Sequence, residues 1–122
     1  MKSKNIQTGK KGEQIAEKYL IEKGMKLIKR NYRYDRAEID LIMLDKDELV
    51  FVEVKTRNSD NFGSPVYSIT KRKLAQIAKA SEQFIAEYEN KISFKSARID
   101  VVSILIQKGN TEIEHIENAV IF

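Results

Sequence analysis

The sequence predicts an α/β domain whose mixed sheet is flanked by helices, with elements in the order αβββαββ. Two segments repeat apolar residues at helical spacing, and five short segments read as extended, with Val50 to Val54 rich in β-branched and aromatic residues. Glycine and polar turn residues separate them. At 122 residues the chain suits one compact domain spanning 1–122.

The first helix is expected from Thr8 to Lys23. Thr8 can cap it, Ile15, Ala16, Tyr19 and Leu20 form its apolar stripe, and Gly24 ends it. Three extended segments follow, Met25 to Tyr34, Glu38 to Leu44 and Leu49 to Arg57. Val50 to Val54 has the apolar character of a central strand. Residues 58–67, with Asn58, Ser59, Asp60, Asn61, Gly63 and Pro65, read as a loop. The second helix is expected from Thr70 to Glu89, capped by Ser68 or Thr70. Its stripe is Leu74, Ile77, Ala78, Ser81, Phe84, Ile85 and Tyr88. Strands from Ala97 to Gln107 and from Glu112 to Ile121 close the order, joined by a turn at Lys108-Gly109-Asn110.

Composition removes several chemistries. There is no cysteine and one histidine, His115, so thiol catalysis, disulfides and multi-histidine metal sites are excluded. No phosphate-loop or dinucleotide glycine fingerprint appears. The longest apolar runs, such as Val101 to Ile106, cannot span a bilayer, and Met1 to Gln7 lacks the apolar core of a secretory signal. The expectation is a cytoplasmic protein with no membrane partner. Residues 1–36 hold 11 Lys and Arg against 4 Asp and Glu, a net +7, while residues 37–122 hold 11 against 14, a net −3. A basic first third fits a polyanionic partner, most simply nucleic acid; it also fits a solvated helix face with surplus lysines.

The stretch from Glu38 to Lys55 carries the chemistry. Read as a hairpin turning at Lys46-Asp47, it pairs residues whose numbers sum to 93. Leu44 then faces Leu49, Ile42 faces Phe51, Asp40 faces Glu53 and Glu38 faces Lys55, all on one side of the sheet. Loops of two or four residues give this register, and an odd loop does not. The carboxylates of Asp40 and Glu53 start from Cβ atoms about 5 Å apart, where like charges destabilise a sheet. A divalent cation such as Mg²⁺ or Mn²⁺ relieves that repulsion, because it prefers oxygen ligands. Lys55 projects beside Glu53, where its ammonium can stabilise a phosphate or orient water. Paired acids, a metal and a lysine are what phosphodiester hydrolysis uses. The plainer alternative is a Glu38–Lys55 salt bridge on a solvated edge, with Asp40 and Glu53 pointing into water. Against it stands the strongly apolar character of the strand that Glu53 and Lys55 interrupt.

Asp40, a gap of 12 residues, then Glu53-Val54-Lys55 resembles the D…(D/E)xK signature of the restriction-endonuclease-like superfamily. Gly12-Glu13, Asn31-Tyr32-Arg33, Glu38-Ile39-Asp40-Leu41-Ile42, Phe51-Val52-Glu53-Val54-Lys55-Thr56-Arg57 and Arg98-Ile99-Asp100-Val101-Val102 together resemble the bacterial YraN family. That family is largely uncharacterised and similar to archaeal Holliday-junction resolvases. The resemblance covers nearly the whole chain and implies a restriction-endonuclease-like fold and a Mg²⁺- or Mn²⁺-dependent endonuclease acting on DNA, including branched DNA. By the same resemblance Asp40, Glu53 and the Val54 carbonyl bind the metal, Lys55 is the catalytic lysine, Glu13 completes the acidic set, and the protein is a homodimer. Glu13 lies on the helical face of Ala16 and Leu20, which aims it at the sheet; it also suits a first helical turn on electrostatic grounds alone. Ala37 departs from the glycine expected before Glu38-Ile39-Asp40.

Nucleic-acid contacts are expected from Lys10, Lys11, Arg33, Arg57, Lys71, Arg72 and Lys73. The last three open the second helix, where a bound anion would relieve their conflict with the helix dipole. Tyr32, Arg33, Tyr34 and Arg36 interleave aromatic and basic residues, which suits nucleic acid or a strand with one exposed face. Asp100 reads as a structural partner for Arg98 or Arg57, and His115 as a surface strand residue. Two rival functions remain: a nucleic-acid-binding protein of the same fold that cleaves nothing appreciable, and a basic protein-interaction module.

Overall fold

The computed structural model describes residues 2–58 and 70–119, with side chains described from residue 9 onward. Its elements are α1 (Lys2–Glu22), β1 (Lys26–Tyr34), β2 (Ala37–Asp45), β3 (Glu48–Asn58), α2 (Lys71–Tyr88), β4 (Ser96–Gln107) and β5 (Asn110–Ile116), the order αβββαββ. The five strands form one mixed sheet in the order β1-β2-β3-β4-β5. Only β3 and β4 are parallel, because α2 carries the chain back between them. The architecture is a mixed α/β one, consistent with an α/β nuclease-like fold.

Each face of the sheet buries one helix. On one face Ile77, Ala80 and Phe84 of α2 pack on Tyr32, Ile39, Ile42, Leu49, Phe51 and Ile99. Phe84 meets Tyr32 and Phe51 edge to face at 5.2 and 5.8 Å, the spacing aromatic rings prefer. On the other face Ala16 and Leu20 of α1 pack on Leu41, Met43, Val50, Val52, Val102 and Ile104. Burial on both faces explains why the central strands read as near-continuous apolar runs.

Element ends show where local signals hold. The Gly24 N–H donates to the Ile21 carbonyl and the Met25 N–H to that of Leu20, closing α1 with a left-handed glycine at φ +102°. At its other end α1 begins at Lys2, six residues before the expected cap, so Thr8 is inside the helix. Residues 2–7 contain neither proline nor glycine to stop it. Thr70 does cap α2, its hydroxyl accepting from the Lys73 N–H. The expected loop falls, from Ser59 on, outside the described residues, as do the alternative cap Ser68 and the last residues of the final strand.

β5 ends at Ile116. Asn118 adopts a left-handed φ of +51° and gives its N–H to Asp100 Oδ1 rather than to a neighbouring strand. Asp100 is a buried structural partner of Arg98, 3.0 Å away, and Arg98 also reaches Glu48 and Asp45. His115 is not a surface residue: its side chain is 2% exposed and donates from Nε2 to Asp100 Oδ2 at 2.7 Å. Burial favours the neutral Asp100 carboxyl, but hydrogen bonds from His115, Arg98 and the Asn118 N–H outweigh it and hold Asp100 below its usual range.

Candidate functional site

The β2–β3 hairpin has the expected register and a two-residue turn, with Leu44 opposite Leu49 and Ile42 opposite Phe51. Regular pairing stops at Leu41–Val52. One residue further, Asp40 turns its carboxylate into the ladder and accepts the Val54 N–H at 2.7 Å. Its other neighbour is the Glu53 carboxyl, within hydrogen-bonding reach. Burial, that contact and the Glu53 charge push the Asp40 carboxyl well above the usual range, against the opposing pull of the Val54 N–H.

The break has a counterpart on β1. Asn31 has a left-handed φ of +52°, and strand facing changes across it: Tyr32 and Ile39 sit in the α2 core, Leu41 in the α1 core. This overturns one expected pairing. Glu38 does not face Lys55; it accepts from Asn31 Nδ2 at 3.0 Å and approaches Arg33 at 3.4 Å. Simple alternation placed it otherwise because it assumes an unbroken pleat.

Glu13 arrives from α1, whose close seat on β3 depends on Gly12. A Cβ at Gly12 would lie 1.8 Å from Thr56 Oγ1, so only glycine fits. Glu13 Oε1 accepts from the same Asn31 amide at 3.0 Å, and its charge is felt at Asp40. Asn31 therefore ties Glu13 to Glu38, a role the sequence reading did not assign to it. The signal available was an asparagine in the middle of a strand, the residue after glycine that best tolerates this backbone.

A cavity of about 420 Å³ collects Glu13, Asp40, Glu53, Val54, Lys55 and Arg57, and Lys73 of α2 reaches it too. Lys73 Nζ lies 3.1 Å from Glu53 Oε2, an ion-pair distance whose angle fails as a hydrogen bond, so this buried oxygen has no directional donor. Arg57 Nε is likewise buried without an acceptor. Arg33 and Lys73 line an adjoining cavity of about 330 Å³ together with Arg36. Lys10 borders a separate cavity of about 690 Å³ between α1 and β1, which it shares with Glu13, Glu17 and Arg30. Lys11, Lys71 and Arg72 are exposed and line none of these cavities. Tyr32 points inward, its hydroxyl donating to Glu87, so of the interleaved tract only Arg33, Tyr34 and Arg36 face solvent.

The donors fit a hard divalent cation. Every candidate ligand here is oxygen, Glu53 is buried and Asp40 half-buried, and Glu53 Oε2 lacks the directional partner a buried carboxylate needs. Asp40 and Glu53 would hold Mg²⁺ or Mn²⁺, with Val54 supplying a carbonyl. Among the described residues no three acids already stand together at ligating spacing, and Glu13 is engaged with Asn31.

Residues 12–104 match the uncharacterised protein family UPF0102. The chain is 41% identical over 115 residues to the UPF0102 protein of Syntrophomonas wolfei, covering 94% of this chain and 98% of that one. It is 46% identical over 113 residues to that of Sulfurihydrogenibium sp., covering 93% of each. With the UPF0102 protein of Trichlorobacter lovleyi the identity is 39% over 117 residues, covering 94% of this chain and 91% of the relative. The matched span begins at the glycine that seats α1 and reaches through both carboxylates to β4, and the chain belongs to the uncharacterised family UPF0102, also called YraN.

Proposed function

We propose that this protein is a metal-dependent endonuclease that hydrolyses phosphodiester bonds in DNA, with structured or branched DNA among its substrates. The observation that carries the reading is the Asp40–Glu53 pair, Glu53 buried and Asp40 half-buried, with one Glu53 oxygen lacking a directional partner, in a cavity shared with Lys55, Arg57 and Lys73. A fold gains nothing by burying two acids against each other unless a cation or proton neutralises them. When bound, Mg²⁺ or Mn²⁺ supplies Lewis-acid activation of the phosphoryl oxygen and of the attacking water.

The chain's own groups divide the remaining work. Asp40 is held by the Val54 N–H, so its carboxylate keeps a fixed position through the reaction. Lys55 leaves β3 into the same cavity, where its ammonium holds the attacking water or a non-bridging oxygen of the reacting phosphate. Arg57 lines the same cavity, where its guanidinium adds positive charge for a neighbouring phosphate.

The test is a cleavage screen over duplex, flap, four-way junction and single-stranded DNA with Mg²⁺ or Mn²⁺, with binding measured on the same substrates. Wild type should cleave at least one of them. Lys55→Ala should bind as well as wild type while cleavage falls about a hundredfold or more. Binding without cleavage by wild type would leave a nucleic-acid binder of this fold. Absence of salt-dependent binding to any nucleic acid would leave a protein-interaction module.

A further inference from the structure

The pairing of Lys73 with Glu53 joins a fixed group to a free one. The Glu53 side chain is 4% exposed on β3, whereas that of Lys73 is 47% exposed. The backbone of Lys73 is itself pinned, since its N–H donates to the Thr70 hydroxyl at 3.1 Å. Only the lysine side chain can leave. It stands where the two cavities meet, the acidic one holding Asp40 and Glu53 and the other bordered by Arg33, Arg36, Asp35 and Glu38. A divalent ion on Glu53 Oε2 and an ammonium 3.1 Å from the same oxygen are like charges competing for one buried carboxylate oxygen and repel each other.

We propose that Lys73 is an intramolecular competitor for the divalent cation: it sits on Glu53 in the metal-free protein and swings toward the Arg33–Arg36 cavity when the metal binds. The inference rests on the metal-dependent reading above and adds a regulatory step to it. In the metal-free protein the ammonium partly neutralises the acidic pair, which lowers the cost of burying it. Once displaced, the same ammonium joins Arg33 and Arg36, giving three cations against Asp35 and Glu38 and so a net positive cavity for a phosphodiester backbone. Metal and polyanion then help each other. A strand that draws Lys73 away strengthens metal binding, and by linkage the metal strengthens binding of the strand by the same factor.

Calorimetric titration of the whole protein with MnCl₂, without nucleic acid, tests the competition. Lys73→Met should bind Mn²⁺ about fivefold tighter or more than wild type, the lower end of ordinary coupling between sites. Lys73→Arg, which keeps a cation beside Glu53, should stay near wild type. Lys71→Met, which removes an exposed charge nearby, should also change little. Equal tightening in Lys71→Met and Lys73→Met would reduce the effect to general charge and overturn the proposal; so would unchanged or weaker binding in Lys73→Met.

A second measurement uses only wild type, in case the methionine variant folds poorly. Limited acetylation read by peptide mass spectrometry should label Lys73 faster, relative to Lys71, when Mg²⁺ is added. An unchanged ratio would overturn the proposal while leaving the metal reading intact. No Mn²⁺ binding in wild type, Lys73→Met or Lys73→Arg would instead overturn the metal reading, and this inference with it.

Discussion

Asp40 closes the end of the β2–β3 ladder and supplies one of the paired acids, and these two uses of one carboxylate have opposite consequences. As a ladder substitute it accepts the Val54 N–H, which favours its charged form; burial beside Glu53 opposes that and prevails. Between the usual carboxylate range and its raised value, the folded metal-free protein therefore holds a proton that the unfolded chain has lost. Stability must then fall as pH rises through that window. In chelator-containing buffer, Asp40→Asn should gain melting temperature relative to wild type as pH is raised, because it removes this term. Added Mn²⁺ should raise the melting temperature of wild type by mass action and leave Asp40→Asn unmoved. Equal Mn²⁺ shifts in the two proteins would place the metal elsewhere. At this scale the sequence was informative wherever a residue type contradicted its surroundings. Two acids and a lysine in an apolar hairpin did so plainly, whereas Asn31 looked like an ordinary polar residue of an edge strand.

The elements depend on one close approach. α1 brings Glu13 to the sheet because Gly12 lets its backbone come against Thr56 of β3. Gly12→Ala puts a methyl group where Thr56 Oγ1 stands, and overpacking of this kind costs about 1–3 kcal/mol. The expected outcome is a lower melting temperature with metal binding weakened as well, since Glu13 retreats with its helix. Adding Thr56→Ala should restore part of both in a double-mutant cycle. A fully additive double variant would show that the contact with Thr56 is not the cause. Helix and strand identity was legible because it follows periods of 3.6 and 2 within short windows. Starts and ends were less so. α1 extends back to Lys2 because nothing there halts it, and β5 stops early because Asp100, 18 residues before Asn118 in sequence, captures the Asn118 N–H.

Across the described residues, the basic side chains of the first third that border cavities are divided among more than one of them. Lys10 borders one cavity, Arg33 and Arg36 another, and the cations nearest the acidic pair, Lys55, Arg57 and Lys73, come from β3 and α2. DNA affinity should fall with salt at a slope of about −0.9 per neutralised phosphate on duplex. Replacing Arg33 and Arg36 together by Gln should lower that slope by roughly one to two and weaken all sequences alike. The same loss on replacing Lys11 and Lys18, which line neither the acidic cavity nor its neighbour, would move the binding surface away from the site. No helix among the described residues is long and apolar enough to cross a membrane.

The sequence by itself determined the seven elements, the parity of the β2–β3 hairpin and hence the meeting of Asp40 with Glu53. These follow from side-chain periodicity and from a turn two residues long, interactions that close within a few residues. Tertiary structure alone decided that Lys73 sits on Glu53, that Asn31 ties Glu13 to Glu38, and that His115 is buried against Asp100. Each of these joins side chains that only the docking of α1, α2 or β5 on the sheet brings within reach. Their partners are chosen by which buried polar groups would otherwise go unpaired, a condition that no local pattern encodes.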